Sequence, residues 1–240
     1  MSKQPYYLAY EKRYQTVYSA GAERWGHSPD EPELLSTLTE WVNLHNLKGK
    51  RVIEFACGEG AAGVILSQLG CIYHGVDIAP SAVGKARLAI KDFPNATVSV
   101  LDMVNDKVNG EFDAAIDIMG FHMLITDGDR KKYLANVYNA LKSGAPMLFY
   151  KESYRLDAYE GAVNTYEEWL AITGDDYETP QVRRILDSDV TVEVPLTPAR
   201  AHTKNGYINE LNGAGFVVDD FVEMEINYQN PHSATIYVHK

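Results

Sequence analysis

The stretch that most restricts the fold is RVIEFACGEGAAG, residues 51–63. An apolar run goes straight into three glycines spaced G-x-G-x-x-G, and VILSQLG continues with helical character. Glycine lets a backbone turn off a strand and approach a ligand closely, and a helix starting there presents unpaired amides. Strand, glycine loop and helix in that order make the first half of a βαβ unit. The alternation continues. IYHGVD (72–77), TVSVLD (97–102), FDAAIDI (112–118) and APMLFYK (145–151) read as strands. Between them fall a helix from about Ser81 to Asp92, with Ser81 as N-cap, and DRKKYLANVYNALKSG (129–144), stopped by Gly144. Upstream, Leu34, Leu35, Leu38, Trp41, Val42 and Leu44 keep helical spacing behind Pro32. Strands alternating with helices predict a mostly parallel sheet covered on both faces.

The alternation breaks after Lys151. Residues 155–195 are rich in tyrosine and acids, hold a helical patch near 166–172, and read as an insertion capping a substrate site. Helical spacing resumes over 201–215. Two further strands, GFVVDDFVEMEI and SATIYVHK, flank a turn at Gln229-Asn230-Pro231 and can pair as an antiparallel hairpin. At the other end, Tyr6, Tyr10, Tyr14 and Tyr18 recur every four residues and fall on one face of a helix. A loop containing Arg24 and Trp25 follows. A core helix favours Leu, Ile and Val, which bury no hydroxyl, so residues 1–30 read as a lid on a single domain spanning 1–240.

Composition narrows the function. The 22 Lys and Arg against 33 Asp and Glu leave a net charge of −11, which argues against a nucleic-acid partner, since phosphate contacts need clustered cations. Cys57 and Cys71 are the only cysteines, too few for a disulfide framework, and no H-x-x-x-H or C-x-x-C spacing suggests a metal. The first fifteen residues lack the apolar run of a secretory signal, and no window approaches the ~18 apolar residues of a membrane helix. A cytoplasmic protein without a membrane association is expected.

Gly58, Gly60 and Asp77 alone suit NAD as well as any adenosine ligand, because a carboxylate about 20 residues beyond the glycines can accept both ribose hydroxyls. Glu54 inside the first strand, where a dinucleotide fold keeps an apolar residue, and Asp102 at the end of the third discriminate further. E-F-A-C-G-E-G, V-D-I, L-D-M and the C-terminal hairpin together resemble the class I S-adenosylmethionine-dependent methyltransferases, over about residues 31–154 and 201–240. The resemblance implies a Rossmann-like α/β fold, with a mostly parallel seven-stranded sheet, an antiparallel C-terminal hairpin and helices on both faces. It also implies S-adenosyl-L-methionine as cofactor. Glu54, Ala56, Gly58 and Gly60 would surround its methionine part, Ala56 standing where the family often has glycine. Asp77 would grip the ribose, Ile78 would pack on adenine, and Asp102 with Met103 would bind the adenine edge. Asp117 looks like the family's acidic position near the methionine amino group.

The chain lacks the D/N-P-P-Y/F motif of amino-methyltransferases acting on DNA and glutamine, and the Pro-Cys of cytosine C5 enzymes. What remains resembles the methyltransferases of small-molecule N, O and S acceptors. An RNA or protein methyltransferase, an NAD(P)-linked oxidoreductase and a non-catalytic cofactor-binding protein are the alternatives. His122 after the fourth strand is the candidate base, or a histidine packed beside the cofactor. Glu152 at the end of the fifth would orient an amine or cap a turn. Arg24 offers a guanidinium to the cofactor carboxylate and Trp25 an indole over its methionine end, while Tyr14 is the cofactor-binding member of the aromatic lid. Residues 151–196 carry four basic and eleven acidic side chains, which favours a neutral or cationic acceptor.

Overall fold

The computed structural model describes residues 5–185, 190–225 and 232–240. A 3-10 turn at Tyr6–Leu8 leads into α1 (Ala9–Ser19), and α2 (Pro32–Leu44) opens with Pro32, whose missing N–H costs nothing in a first turn. Then come β1 (Arg51–Phe55), α3 (Ala61–Gln68), β2 (Ile72–Asp77), α4 (Pro80–Ala89), β3 (Ala96–Val100) and β4 (Ala114–Ile118). A second 3-10 turn, Phe121–Met123, precedes α5 (Asp127–Ala140) and β5 (Pro146–Ser153). The insertion folds as α6 (Tyr166–Thr173) and a hairpin of β6 (Gln181–Arg184) and β7 (Thr191–Val194). It is followed by α7 (Lys204–Gly213), β8 (Val217–Glu223) and β9 (Ser233–His239).

The main sheet has seven strands in the order β3-β2-β1-β4-β5-β9-β8. β1 to β5 are parallel, and β9 runs antiparallel to both β5 and β8. This is the expected Rossmann-like methyltransferase fold. One apolar core joins α5 and α7 to one sheet face, around Phe121, Tyr133 and Phe149, and a second joins α2 and α3 to the other, around Trp41, Leu66 and Tyr73. Covered on both faces, β1 and β4 need no polar alternation, and their apolar runs follow from that. From β1 the chain winds outward through β2 and β3, then returns to β4 and β5 on the other side. Helices therefore leave β1 and β4 in opposite directions, and a crevice opens at the carboxyl ends of these two strands.

Local details differ from the sequence reading where side chains found other partners. Ser81 does not cap α4. Ala79 is the N-cap and Pro80 the first residue, while Asp77 Oδ1 accepts from the Ala79 amide at 2.8 Å and the Ser81 hydroxyl donates to Glu11. Helix α5 stops at Ala140 because Leu141 turns extended, and Gly144, at φ +72°, serves the turn into β5 instead. The insertion holds a hairpin that its mixed polarity hid, and α6 begins with a capping box between Thr165 and Glu168. The Gln229–Pro231 turn lies outside the described residues.

Candidate functional site

A cavity of about 510 Å³ occupies the crevice between β1 and β4. Its wall includes Glu54, Ala56, Gly58, Asp77, Ile78, Asp102 and Met103, so residues from three separate strand ends meet where the sequence placed them. Among the described residues, four of the five non-glycine residues with positive φ also line it: Ala56 (+53°), Met119 (+59°), Lys151 (+56°) and His232 (+64°). Each such backbone is strained for an L-residue, and strain of this kind gathers where a ligand must be approached closely.

One end of the cavity is a row of carboxylates. Asp77 Oδ2 accepts from the Gly58 amide at 2.8 Å and Oδ1 from Ala79, which stitches the glycine loop to the end of β2. Burial pushes the Asp77 carboxyl up, and those two amides pull it back. Glu54 is 2% exposed and accepts from the Tyr73 hydroxyl; burial pushes it up to about 8, against the downward pull of that hydrogen bond. Asp102 accepts from the Tyr7 hydroxyl (3.0 Å), the Val104 amide (2.9 Å) and the Asn105 side chain (2.9 Å). Carboxylate oxygens have about two acceptor sites each, so lone pairs remain for a ligand on Asp77 and Glu54, whereas Asp102, which also accepts from the Asn105 amide at 3.2 Å, already meets four donors. An ammonium and a pair of ribose hydroxyls are donors that such a wall can accept, and S-adenosylmethionine carries both.

The N-terminal segment crosses this row. Tyr7 is tied to Asp102, and Tyr14 lies over the glycine loop, its hydroxyl 3.0 Å from where a Cβ on Gly58 would stand. Tyr18 donates to Glu59 at 2.6 Å, and the same carboxylate accepts from the Trp25 (3.0 Å) and Gly26 (2.6 Å) amides. From behind, Val17 and Ala22 pack on Ile185, Val192 and Val194, and Tyr10 donates to the Pro198 carbonyl at 2.7 Å. The four-residue tyrosine stripe does not hold as one surface. Ahead of Ala9 the chain is a 3-10 turn, which shifts the phase, so Tyr7 enters the cavity wall while Tyr6 meets the Ile125 amide.

At the far end the wall is made by Met119, His122, Lys151, Ser153 and Arg155. Glu152 Oε2 lies 2.8 Å from both the His122 amide and Nδ1, and the Ser153 amide is 3.2 Å from Nδ1. The Ser153 amide and Glu152 Oε2 compete for Nδ1; the tautomer with the proton on Nδ1 keeps the shorter Glu152 bond, gives up the 3.2 Å Ser153 bond and leaves the Nε2 lone pair as acceptor. Buried guanidiniums hold this turn: Arg130 donates to the Phe121 and Leu124 carbonyls, and Arg200 to that of Ile125, while the Arg200 amide bonds to His122 O. Lys151 is 4% exposed and paired with Glu31 (3.1 Å) and Glu33 (2.8 Å).

Four expected site residues stand outside the cavity wall. Asp117 is fully buried, accepts from the Gly120 and Phe121 amides and the Tyr133 hydroxyl, and so shapes the turn after β4 behind the cavity wall. Glu152 is equally buried, behind His122. Gly60, at φ +83°, faces α4, where a Cβ would come within 3.0 Å of Ala86. Arg24 donates to Ser28 at 3.1 Å, and the guanidinium that the N-terminal segment brings to the wall is that of Arg13, 5.1 Å from the Trp25 ring centroid. Arg13 donates to the Pro195 carbonyl, and its buried Nε has no partner among the described residues. Its signal in the sequence is its position, one residue before Tyr14 and three after Tyr10, on the face of α1 that the tyrosines share. Of the described residues in 155–195 only Arg155 reaches the wall, and none of the described acidic side chains of the insertion lines the cavity. Among the described residues there is no group of three or more His, Cys, Asp or Glu able to hold a metal, and no helix is long and apolar enough to cross a membrane.

Residues 52–144 match the family model of a methyltransferase domain. An uncharacterized methyltransferase of Synechocystis is 30% identical over 142 residues, 58% of this chain and 59% of that protein, so the match spans about three fifths of the relative's length. The 2-heptyl-1-hydroxyquinolin-4(1H)-one methyltransferase of Mycobacteroides abscessus is 27% identical over 198 residues, 80% of this chain and 75% of the relative. The crystal structure of magnesium protoporphyrin IX methyltransferase from Synechocystis, with bound S-adenosylmethionine, shares the fold, with a TM-score of 0.67 at 13% identity over 100% of this chain and 99% of that one. Residues 52–144 are thus similar to a methyltransferase domain, and the chain has the fold of the class I S-adenosylmethionine-dependent methyltransferases, with the carboxylate row at its strand ends.

Proposed function

We propose that the protein transfers the methyl group of S-adenosylmethionine to a small-molecule oxygen, nitrogen or sulfur acceptor bound between Met119 and Arg155. The single observation that carries this reading is the continuity of one cavity of about 510 Å³ from Asp102 to His122 beneath the N-terminal segment. That volume falls in the range of small-ligand sites. When bound, the cofactor supplies an electrophilic methyl whose departure leaves a neutral thioether, so the protein needs no acid for the leaving group. Asp102 and Met103 take the adenine edge, Ile78 its face, Asp77 the ribose, and Glu54 the methionine ammonium. Arg13 takes the carboxylate. His122 Nε2 accepts the proton of the attacking group, and Glu152 holds the imidazole in that tautomer. Residues 1–30 close over the site as a lid, braced by 155–195, which excludes water and fixes the line of attack.

The hydroxyquinolone in the name of the Mycobacteroides abscessus relative supports a flat, apolar, hydroxylated acceptor as the first to try. Among the described residues the wall beyond Met119 carries Arg155 and a Lys151 already paired with Glu31 and Glu33, and none of the insertion's carboxylates, which supports a neutral, hydroxylated acceptor over a cationic one. The test is turnover of labelled cofactor with a panel of hydroxylated heterocycles, phenols, amines and thiols. His122→Ala should lower kcat by roughly 100-fold or more on the accepted substrate with S-adenosylhomocysteine affinity unchanged. No turnover on the panel, together with methylation of RNA or protein, would overturn the small-molecule reading.

A further inference from the structure

Tyr73 is 1% exposed, sits on β2, and does nothing in the reaction outlined above. Its position is nonetheless unusual. Glu54 is the register partner of Gly75, two residues beyond Tyr73, so all three share one sheet face. The ring of Tyr73 lies along its own strand over Gly75, where a Cβ would come 2.4 Å from the hydroxyl oxygen. From the other side α3 brings Gly63, whose Cβ would fall 2.6 Å from the ring. Two glycines thus clear a channel that only a ring of this length fills, and at its end the hydroxyl donates to Glu54 Oε2 at the cavity wall. The third glycine of G-x-G-x-x-G therefore serves Tyr73 and not the ligand.

Glu54 is a carboxyl group shut between strands with one opening, toward the cavity. The titratable groups facing it are Tyr73 and Asp77 from β2 and Cys57 from the glycine loop, and none of them is a cation. Asp77 adds repulsion, so burial and this neighbour together favour a proton on Glu54 near neutral pH. A cationic ammonium arriving from the cavity reverses that balance.

We propose that Tyr73 is a positioning residue for cofactor capture: its hydroxyl aims Glu54 at the methionine ammonium, and binding expels one proton from Glu54 to solvent. In this step the O–H bond of the carboxylic acid breaks, the electron pair stays on Glu54, the ion pair forms, and buffer takes the proton. The inference rests on the cofactor reading of the cavity.

Titration calorimetry of S-adenosylhomocysteine at pH 7, in buffers of different ionisation enthalpy, counts the protons released. Wild type should release most of one proton at pH 7 and almost none at pH 9. Tyr73→Phe keeps the ring and removes the donor. Affinity at pH 7 should fall roughly tenfold or more, the cost of a lost hydrogen bond to a charged group, and the pH midpoint of binding should rise. Glu54→Gln keeps an oxygen for Tyr73 but cannot ionise, so its binding should be weaker and release no proton. That arm decides the matter even if Tyr73→Phe does not fold. Zero proton release in wild type, undiminished release in Glu54→Gln, or an unchanged pH midpoint in Tyr73→Phe would overturn the proposal. Failure of wild type to bind S-adenosylhomocysteine at all would overturn the cofactor reading instead.

Discussion

Glu59 is the place to test whether the N-terminal segment is a lid. Its carboxylate accepts from the Tyr18 hydroxyl at 2.6 Å, the Trp25 amide at 3.0 Å and the Gly26 amide at 2.6 Å, which joins the end of α1 and the following loop to the glycine loop. Glu59→Ala removes all three acceptor contacts without touching the sheet. A hydrogen bond to a charged group contributes about 1.5–3 kcal/mol when buried, but these groups are only half-buried and water replaces part of each loss. About 1 kcal/mol per donor is therefore a fair figure, and closure should weaken by roughly 2–4 kcal/mol. Converted, the opening equilibrium of this segment rises by about 30- to 1000-fold. Hydrogen exchange of the ligand-free protein reads it directly. Peptides spanning 18–26 should lose protection by that factor. Those spanning 6–14 should lose less, because Tyr7 to Asp102, Tyr10 to Pro198 and Arg13 to Pro195 remain. Unchanged exchange in 18–26 would mean that this segment is held by packing on the β6–β7 hairpin, and the clasp reasoning would be wrong.

Two further outcomes follow from the same geometry. Ala56, at φ +53°, occupies a backbone region that costs an L-residue roughly 1–2 kcal/mol, while glycine loses up to about 1 kcal/mol through the unfolded chain. Ala56→Gly should thus raise unfolding stability in urea by up to about 1 kcal/mol, and a clear loss would show that the strain is not there. Glu54 in the folded state is raised to about 8 from an ordinary value of 4.5, so the native protein holds a proton that the unfolded chain gives up between these limits. Stability should fall as pH rises from about 4.5 to 8, on the order of several kcal/mol at most. Glu54→Gln should flatten that slope, and identical slopes for the two proteins would count against the buried carboxylic acid.

Much of this was legible locally. G-x-G-x-x-G after RVIEFA, the apolar strand runs, and carboxylates closing β1, β2 and β3 at Glu54, Asp77 and Asp102 depend on a few adjacent residues each, and the parallel order then brings them to one edge. Local pattern was misleading where a side chain had a choice of partners. Asp117 also closes a strand, but the turn after β4 curls back so that Gly120, Phe121 and Tyr133 consume its oxygens. Arg24 and Arg13 both lie in the N-terminal segment, and only the path of α1 across the cavity puts Arg13 in the wall.

By itself, then, the sequence determined what depends on periodicity and on the backbone freedom of glycine: the α/β alternation, the parallel sheet with its antiparallel end, and the loop able to approach a cofactor. These follow from interactions within a few residues or from burial on two faces, which a linear pattern records. Tertiary structure alone decided which way each polar group points. The 3-10 turn ahead of α1 sent Tyr7 and not Tyr6 to Asp102. The described part of 155–195 keeps its acidic side chains off the wall, and the far end is a place of Lys151, Arg155 and His122. Net charge is additive along a chain, whereas the field in a cavity depends on the few groups packed within hydrogen-bonding or Debye range of it, and packing at long sequence separation selects them.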